Sequence, residues 1–157
     1  MSAKNNLQTK FRSKGGIRLT RVLFYEHCYE EGKPTVLYTL KDQDYTVSRK
    51  GPDGDEVEVV IPSLYRLYME EEDLTEYQFA NKYLEGWDHW QMISNAFWMK
   101  KLVKRWREEL YLKVAARALN GIKVMSRTNT RDALAAQKYL IEKGWIPKDA
   151  KAKGRPT

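Results

Sequence analysis

The stretch Trp98–Leu110, WMKKLVKRWREEL, carries five cations: Lys100, Lys101, Lys104, Arg105 and Arg107. At about 100° per residue, Trp98, Leu102, Trp106 and Leu110 share one edge of a helix, with Met99 and Val103 beside them. The cations take the rest of the circumference. One face can then be buried while the other offers positive charge to an anion. The chemistry open to such a face is phosphate binding. Lysines contact phosphate oxygens, and a guanidinium at 105 or 107 can read a guanine edge. An ordinary solvated helix face has the same composition.

Other reactive residue types sit where structure explains them. Gly32-Lys33 in EGKPT lacks the earlier glycine of a phosphate-binding loop, so the signature of nucleotide hydrolysis is missing. The acid pairs Asp42/Asp44 and Asp53/Asp55 are of the kind that holds Mg²⁺ in nucleases. Both lie in turn-like sequence, where aspartate bonds its own backbone. Glu70, Glu71 and Glu72 read as solvated. His27, Cys28 and His89 lack zinc-site spacing, and His89, between Trp87 and Trp90, reads as a packed or capping histidine. Trp87, Trp90, Trp98 and Trp106 read as a small core rather than as stacking platforms for single strands. The expectation is a non-enzymatic protein with no cofactor and no metal. Near the end of the chain, KGRP (Lys153–Pro156) resembles the core of minor-groove hooks, with Arg155 as the inserted side chain. A solvated tail or a docking peptide fits these four residues equally well.

A chain of 157 residues suits one core with appendages. Its net charge of +7 favours an anionic partner. The charge is polarised. Residues 1–21 hold six Lys/Arg and no acid, residues 58–88 eight acids against two bases, and residues 100–131 ten bases against two acids. Basic ends around a polarised body are commoner in nucleic-acid binders than in small-molecule enzymes. Cys28 is the only cysteine, which excludes an intrachain disulfide and fits a reducing compartment. No apolar run reaches membrane-spanning length and the first residues lack a secretory signal's apolar stretch, so a soluble intracellular protein without membrane contact is expected.

The elements that must position these residues follow from periodicity. Residues 1–20 read as a flexible basic arm, with Lys10, Arg12 and Lys14 available to DNA. Residues 21–61 read as a small β region: RVLFYEHCY and TVLYTL as strands around an EGKP turn, then YTVSRK and EVEVVI around GPDGD. From Pro62 the period becomes helical. Residues 62–107 give a short helix with Leu64, Leu67 and Tyr68 inward, a second capped by Asp73 or Thr75 and ended by Gly86, and a third capped by Asp88. The basic helix starts near Phe97. This is the layout of a helix-turn-helix whose later helix enters the major groove. Residues 108–145 predict a long antiparallel helical hairpin. The first helix is apolar on several sides, so Leu112, Ala115, Leu119 and Ile122, with Leu134 and Leu140 of the second helix, are expected at subunit contacts. Residues 146–157 read as a flexible basic tail.

From Pro62 onward the sequence resembles the small terminase subunits of short-tailed bacteriophages. The resemblance is carried by PSLYRLYME (62–70), TEYQFANKYLEGWDHW (75–90), Trp98 with VKRWREEL (103–110), and AAQKYLIEKGW (135–145). It implies a mainly α, DNA-recognising protein that assembles into a ring of about eight to twelve subunits. It implies binding of the packaging-initiation site of viral double-stranded DNA and recruitment of the large terminase, the ATPase-nuclease, in the host cytoplasm. Residues 75–107 would bind DNA and residues 108–143 would build the ring. Many members carry strands after the hairpin, whereas here the strand-like segment precedes the helices. The alternatives from the residues alone are a dimeric helix-turn-helix transcriptional regulator on a two-fold site, a metal-dependent nuclease, and an adaptor for an acidic protein.

Overall fold

Residues 10–27, 35–128 and 131–143 are described by the computed structural model. The chain divides into two units, Met1–Leu110 and Tyr111–Thr157. Among the described residues come two 3-10 turns (Arg21–Leu23 and Tyr25–His27) and strands β1 (Tyr45–Lys50) and β2 (Glu56–Ile61). Helices α1 (Leu64–Glu71), α2 (Tyr77–Tyr83), α3 (Trp87–Ser94), α4 (Phe97–Ser126) and α5 (Arg131–Glu142) follow. The protein is mainly helical with a small two-stranded antiparallel sheet.

The GPDGD turn makes that sheet. The Gly51 amide donates to the Asp55 carbonyl (2.7 Å) and the Gly54 amide to the Gly51 carbonyl (3.0 Å). Gly54 sits at φ 85°, where a Cβ is disfavoured. The turn fixes the register Tyr45↔Ile61, Val47↔Val59 and Arg49↔Val57. With a side-chain period of two, these pairs share one face and Thr46, Ser48 and Lys50 are exposed on the other.

The other two expected strands do not form. Residues 21–27 form the 3-10 turns, and TVLYTL makes only isolated bridges, Phe24 with Tyr38 and Thr39 with Ser63. Leu23 and Phe24 are adjacent and both fully buried. A strand would send them to opposite faces. The Leu23 carbonyl accepts from both Leu37 (2.8 Å) and Tyr38 (3.0 Å). The Glu26 carboxylate accepts from the Thr39 hydroxyl and the Leu40 amide. Local acceptors here replace a ladder. Cys28 and the EGKP turn lie outside the described residues.

The centre of the first unit is a buried carboxylate. Glu76 accepts from the Tyr68 hydroxyl (2.8 Å), the Trp90 indole N–H (2.8 Å), and Nε (2.6 Å) and Nη2 (2.8 Å) of Arg107. Those donors come from α1, α3 and α4. Rings close around it: Tyr68 meets Phe79 edge-on at 5.1 Å and lies 5.7 Å from Trp106, and Phe79 meets Trp90 at 5.2 Å. Such aromatic pairs each contribute about 0.5–1.5 kcal/mol beyond their area. Burial alone would raise the Glu76 pKa. The bonds from Arg107, Trp90 and Tyr68 outweigh it and hold the carboxyl below its ordinary value.

The turn before α2 delivers this group. Asp73 accepts from the amides of Thr75 (3.0 Å), Gln78 (2.8 Å) and Phe79 (3.2 Å), so it caps α2 from outside. Glu76 itself takes the left-handed region at φ 63°, which costs a non-glycine residue about 1–2 kcal/mol. The four bonds it accepts offset that cost. Ser63 caps α1 by accepting from the Arg66 amide (3.1 Å). Gly86, at φ 90°, stands at the N-cap of α3 in place of the expected Asp88, which lies in the first turn.

In the second unit, Ala115, Leu119, Ile122 and Ser126 are half-buried at spacings of four, three and four along α4. Ala133, Ala136 and Leu140 of α5 are buried at spacings of three and four. The Gln137 amide group donates to the Ser126 carbonyl (3.1 Å), tying α5 to the end of α4. Tyr111, Leu112, Val124, Met125, Leu134 and Tyr139 stay exposed.

Glu76→Ala is expected to destabilise the protein by about 3–5 kcal/mol in urea unfolding, because it strands two buried donors and unpairs Arg107. The depressed Glu76 carboxyl also fixes a sign. Its stabilisation is full above the unfolded value of about 4.3 and is lost as pH falls through the lower folded value. Acid unfolding should therefore be less steep in Glu76→Gln than in the native chain.

Candidate nucleic-acid interface

The basic helix starts after a two-residue break. The amides of Asn95 and Ala96 close α3 on Gln91 and Ile93, and those of Met99 (2.9 Å) and Lys100 (2.8 Å) open α4 on the Ala96 carbonyl. Met99, Val103, Trp106 and Leu110 are then buried, again at spacings of four, three and four. Trp98 and Leu102, placed on the same edge by the sequence, are half-buried. Trp98 meets the rings of Phe24 (5.5 Å) and His27 (4.8 Å). The expected four-tryptophan core is thus narrower: Trp90 and Trp106 are interior, and Trp87 is exposed beside Tyr77.

Lys100, Lys101, Lys104 and Arg105 all lie on the exposed side of α4. None of the four forms a salt bridge among the described residues. Their positions relative to the core leave the ammonium and guanidinium groups in water, free to meet an external anion. Glu108, one turn further on, is the nearest exposed acid along that side of the helix.

Two arginines expected to contact DNA have internal partners instead. Arg107 is bidentate to Glu76, and its guanidinium closes the buried network. Arg12 donates from Nε to both oxygens of Glu85 (2.8 and 3.0 Å), from Nη2 to one of them (2.5 Å), and from Nη1 to the Gly16 carbonyl (2.8 Å). The planar fork suits these fixed geometries in a way lysine does not. The arginines at 12 and 107 brace, and Lys100, Lys101 and Lys104 face outward.

Arg12 belongs to a segment expected to be a flexible arm, and residues 10–20 are not one. Phe11 is buried against His89, edge-on at 5.4 Å. The chain turns at Gly15-Gly16 and returns, with the Leu19 amide donating to the Phe11 carbonyl (2.7 Å) and the Ser13 amide to the Ile17 carbonyl (2.9 Å). Lys10 and Lys14 are exposed on it. Residues 1–9 and the tail with Arg155 lie outside the described residues.

His89 is wholly buried. Its Nε2–H donates to the Leu19 carbonyl (2.6 Å) and its Nδ1 accepts from the Glu85 amide (3.2 Å), so the neutral ring is the form that fits. Burial pushes its pKa below the ordinary value, against an opposing pull from Leu19. Asp44 accepts from the Ser63 amide (2.9 Å) and from Arg66 (2.8 Å), and these bonds keep its carboxyl below the ordinary range. It is a structural acid, and no group of His, Cys, Asp and Glu among the described residues is arranged to hold a metal ion. Among those residues no helix is long and apolar enough to cross a membrane.

The residues expected at subunit contacts fall into two sets. Leu112 and Leu134 are exposed, whereas Ala115, Leu119 and Ile122 are half-buried and Leu140 is fully buried. Leu140 is therefore a fold residue, since its whole surface is covered without a second copy. Sequence reasoning also missed Glu76 and Glu85, which it assigned no role beyond the acidic charge of residues 58–88. The one local signal at Glu76 was Asp73 and Thr75 just before it, two residues that favour turns.

Comparison with protein-family models, with curated proteins and with solved structures gives no match to this chain.

The division between bracing and outward-facing cations is measurable. Lys100→Ala, Lys101→Ala and Lys104→Ala should each change unfolding free energy by less than about 0.5 kcal/mol. Arg107→Ala should cost about 1–3 kcal/mol, because Glu76 loses its charged partner but keeps the Tyr68 and Trp90 bonds, and the Arg107 side chain is itself 46% exposed. For His89, stability should fall as pH drops below about 6.5, the unfolded value, through the lower folded one. A pH titration of the melting temperature should show that loss beginning well above the carboxylate range.

Proposed function

We propose that this protein is a DNA-recognition subunit of the small-terminase kind in a viral genome-packaging motor. It binds double-stranded DNA at the packaging-initiation site through the outer face of α4. It assembles into a ring of about eight to twelve copies, and it delivers DNA to a large terminase subunit that supplies the ATPase and nuclease. In this reading α2, α3 and α4 act as a helix-turn-helix-like unit with α4 as the recognition helix. The observation that carries it is the run of four outward-facing cations, Lys100, Lys101, Lys104 and Arg105, on a helix whose opposite side is locked into the core. The exposed Leu112 and Leu134 support assembly through the second unit, since large apolar side chains of this kind are favourable contacts between copies.

Phosphate contacts make the reading quantitative. Each neutralised phosphate steepens the dependence of log K on log salt by about 0.9. Lys100→Ala/Lys104→Ala should lower duplex affinity and flatten the slope by about 2, with the native mass unchanged. An unaltered slope removes this face from the DNA contact. Leu112→Glu/Leu134→Glu should reduce the native mass by light scattering without loss of helix content, because both positions are exposed in the single chain. A native mass of two chains that survives this change would favour the dimeric regulator instead.

A further inference from the structure

The hairpin of residues 11–19 has features that its role in the fold does not use. Its base is fastened three times: Phe11 on the His89 ring, His89 Nε2–H on the Leu19 carbonyl, and Arg12 on Glu85. Its tip is built with equal care. The Gly16 amide donates to the Ser13 carbonyl (2.9 Å), the Ile17 amide to the Ser13 hydroxyl (3.2 Å), and the Gly16 carbonyl accepts from Arg12. Gly16 stands at φ 78°, a conformation that side chains rarely adopt. Yet the ordered tip covers nothing. Ile17 is 72% exposed, Lys14 is exposed, and a Cβ built on Gly16 would meet no atom within 4 Å. Among the described residues the amides of Lys14 and Gly15 donate to no backbone acceptor. Two amides and one ammonium with no partner among the described residues, and one outward apolar side chain, therefore occupy four consecutive positions, in a stretch without a single acid from residue 1 to residue 21.

We propose that this tip is a second DNA contact, separate from α4, in which Lys14 and the Lys14 and Gly15 amides meet a phosphate and Ile17 lies against the sugar and base wall of a groove. The proposal rests on the DNA-binding reading of α4 and extends it. Phosphate oxygens are met by ammonium groups and backbone amides together, and apolar side chains beside cations are a recurrent means of engaging the groove. A free arm would lose conformational freedom on binding, whereas this hairpin is ordered beforehand, so its contact carries a smaller entropic cost. Its attachment runs through Glu85 and His89, at the turn into α3 and in its first turns. A duplex held by the tip is thereby referred to the helices that precede α4.

The test is a salt titration of the full chain on a short duplex, by fluorescence anisotropy, for the native protein, Lys14→Ala, Ile17→Ser and Lys100→Ala/Lys104→Ala. Circular dichroism and the melting temperature check that each variant is folded, which both tip positions permit because they are exposed. The expected result is that Lys14→Ala flattens the salt slope by about 0.9, and that Ile17→Ser weakens binding several-fold with the slope unchanged. Native slope and affinity in both tip variants would overturn the proposal. If Lys100→Ala/Lys104→Ala still flattens the slope in that case, the α4 reading stands and the tip serves a protein partner or none. If no variant changes binding, or the native chain binds no duplex, both readings fall.

Discussion

One buried carboxylate organises the first unit. Glu76 accepts four hydrogen bonds from three helices, and the buried Tyr68 and Trp90 donors would be costly to leave without it. Tyr68, Trp90 and Arg107 lie on α1, α3 and α4, so one acceptor joins three helices. α3 has eight residues, and an isolated helix of that length is unstable in water. The shared acceptor fixes how their buried faces meet. The Arg107–Glu76 pair and the buried Met99, Val103 and Trp106 agree on one rotation of α4 about its own axis. That rotation puts Met99, Val103 and Trp106 inside, and Lys100, Lys101 and Lys104 in water.

The same logic separates the cations by kind. Where a guanidinium must satisfy a carboxylate in fixed geometry, the chain uses arginine, at 12 against Glu85 and at 107 against Glu76. Where charge is presented to solvent along α4, it uses mostly lysine. A compact, mobile ammonium suits contact with phosphates whose positions vary along a duplex, and contributes little to sequence reading. Arg105 is the exposed guanidinium of the set and the natural candidate for a base contact.

Much of this fold was legible in the residues. The ribbon followed from GPDGD between two runs of β-forming residues, the helix bounds from Pro62, Asp73 and Gly86, and the buried side of α4 from the 3.6 period. Three features were not. RVLFYEHCY has strand-like composition, but the Leu23 carbonyl turns back to accept from Leu37 and Tyr38, and Glu26 supplies acceptors from a distance that sequence does not reveal. Residues 10–20 have the composition of a tail. Their order depends on Phe11 reaching His89 and on Arg12 reaching Glu85, contacts 78 and 73 residues away along the chain. Glu76 looked like any acid at a helix start. Its burial depends on aromatic residues from other helices, and local pattern carries no trace of them. For the site, the outward position of Lys100, Lys101 and Lys104 was readable from periodicity, while the bracing of Arg107 depends on Glu76, 31 residues earlier.

The central claim is that duplex DNA lies along the exposed side of α4. Lysine acetylation followed by mass spectrometry, with and without duplex at low salt, addresses it directly. The account predicts that Lys100, Lys101 and Lys104 become protected while Lys50, on the exposed face of the ribbon, labels as before. Equal labelling of all four lysines with and without DNA would contradict it.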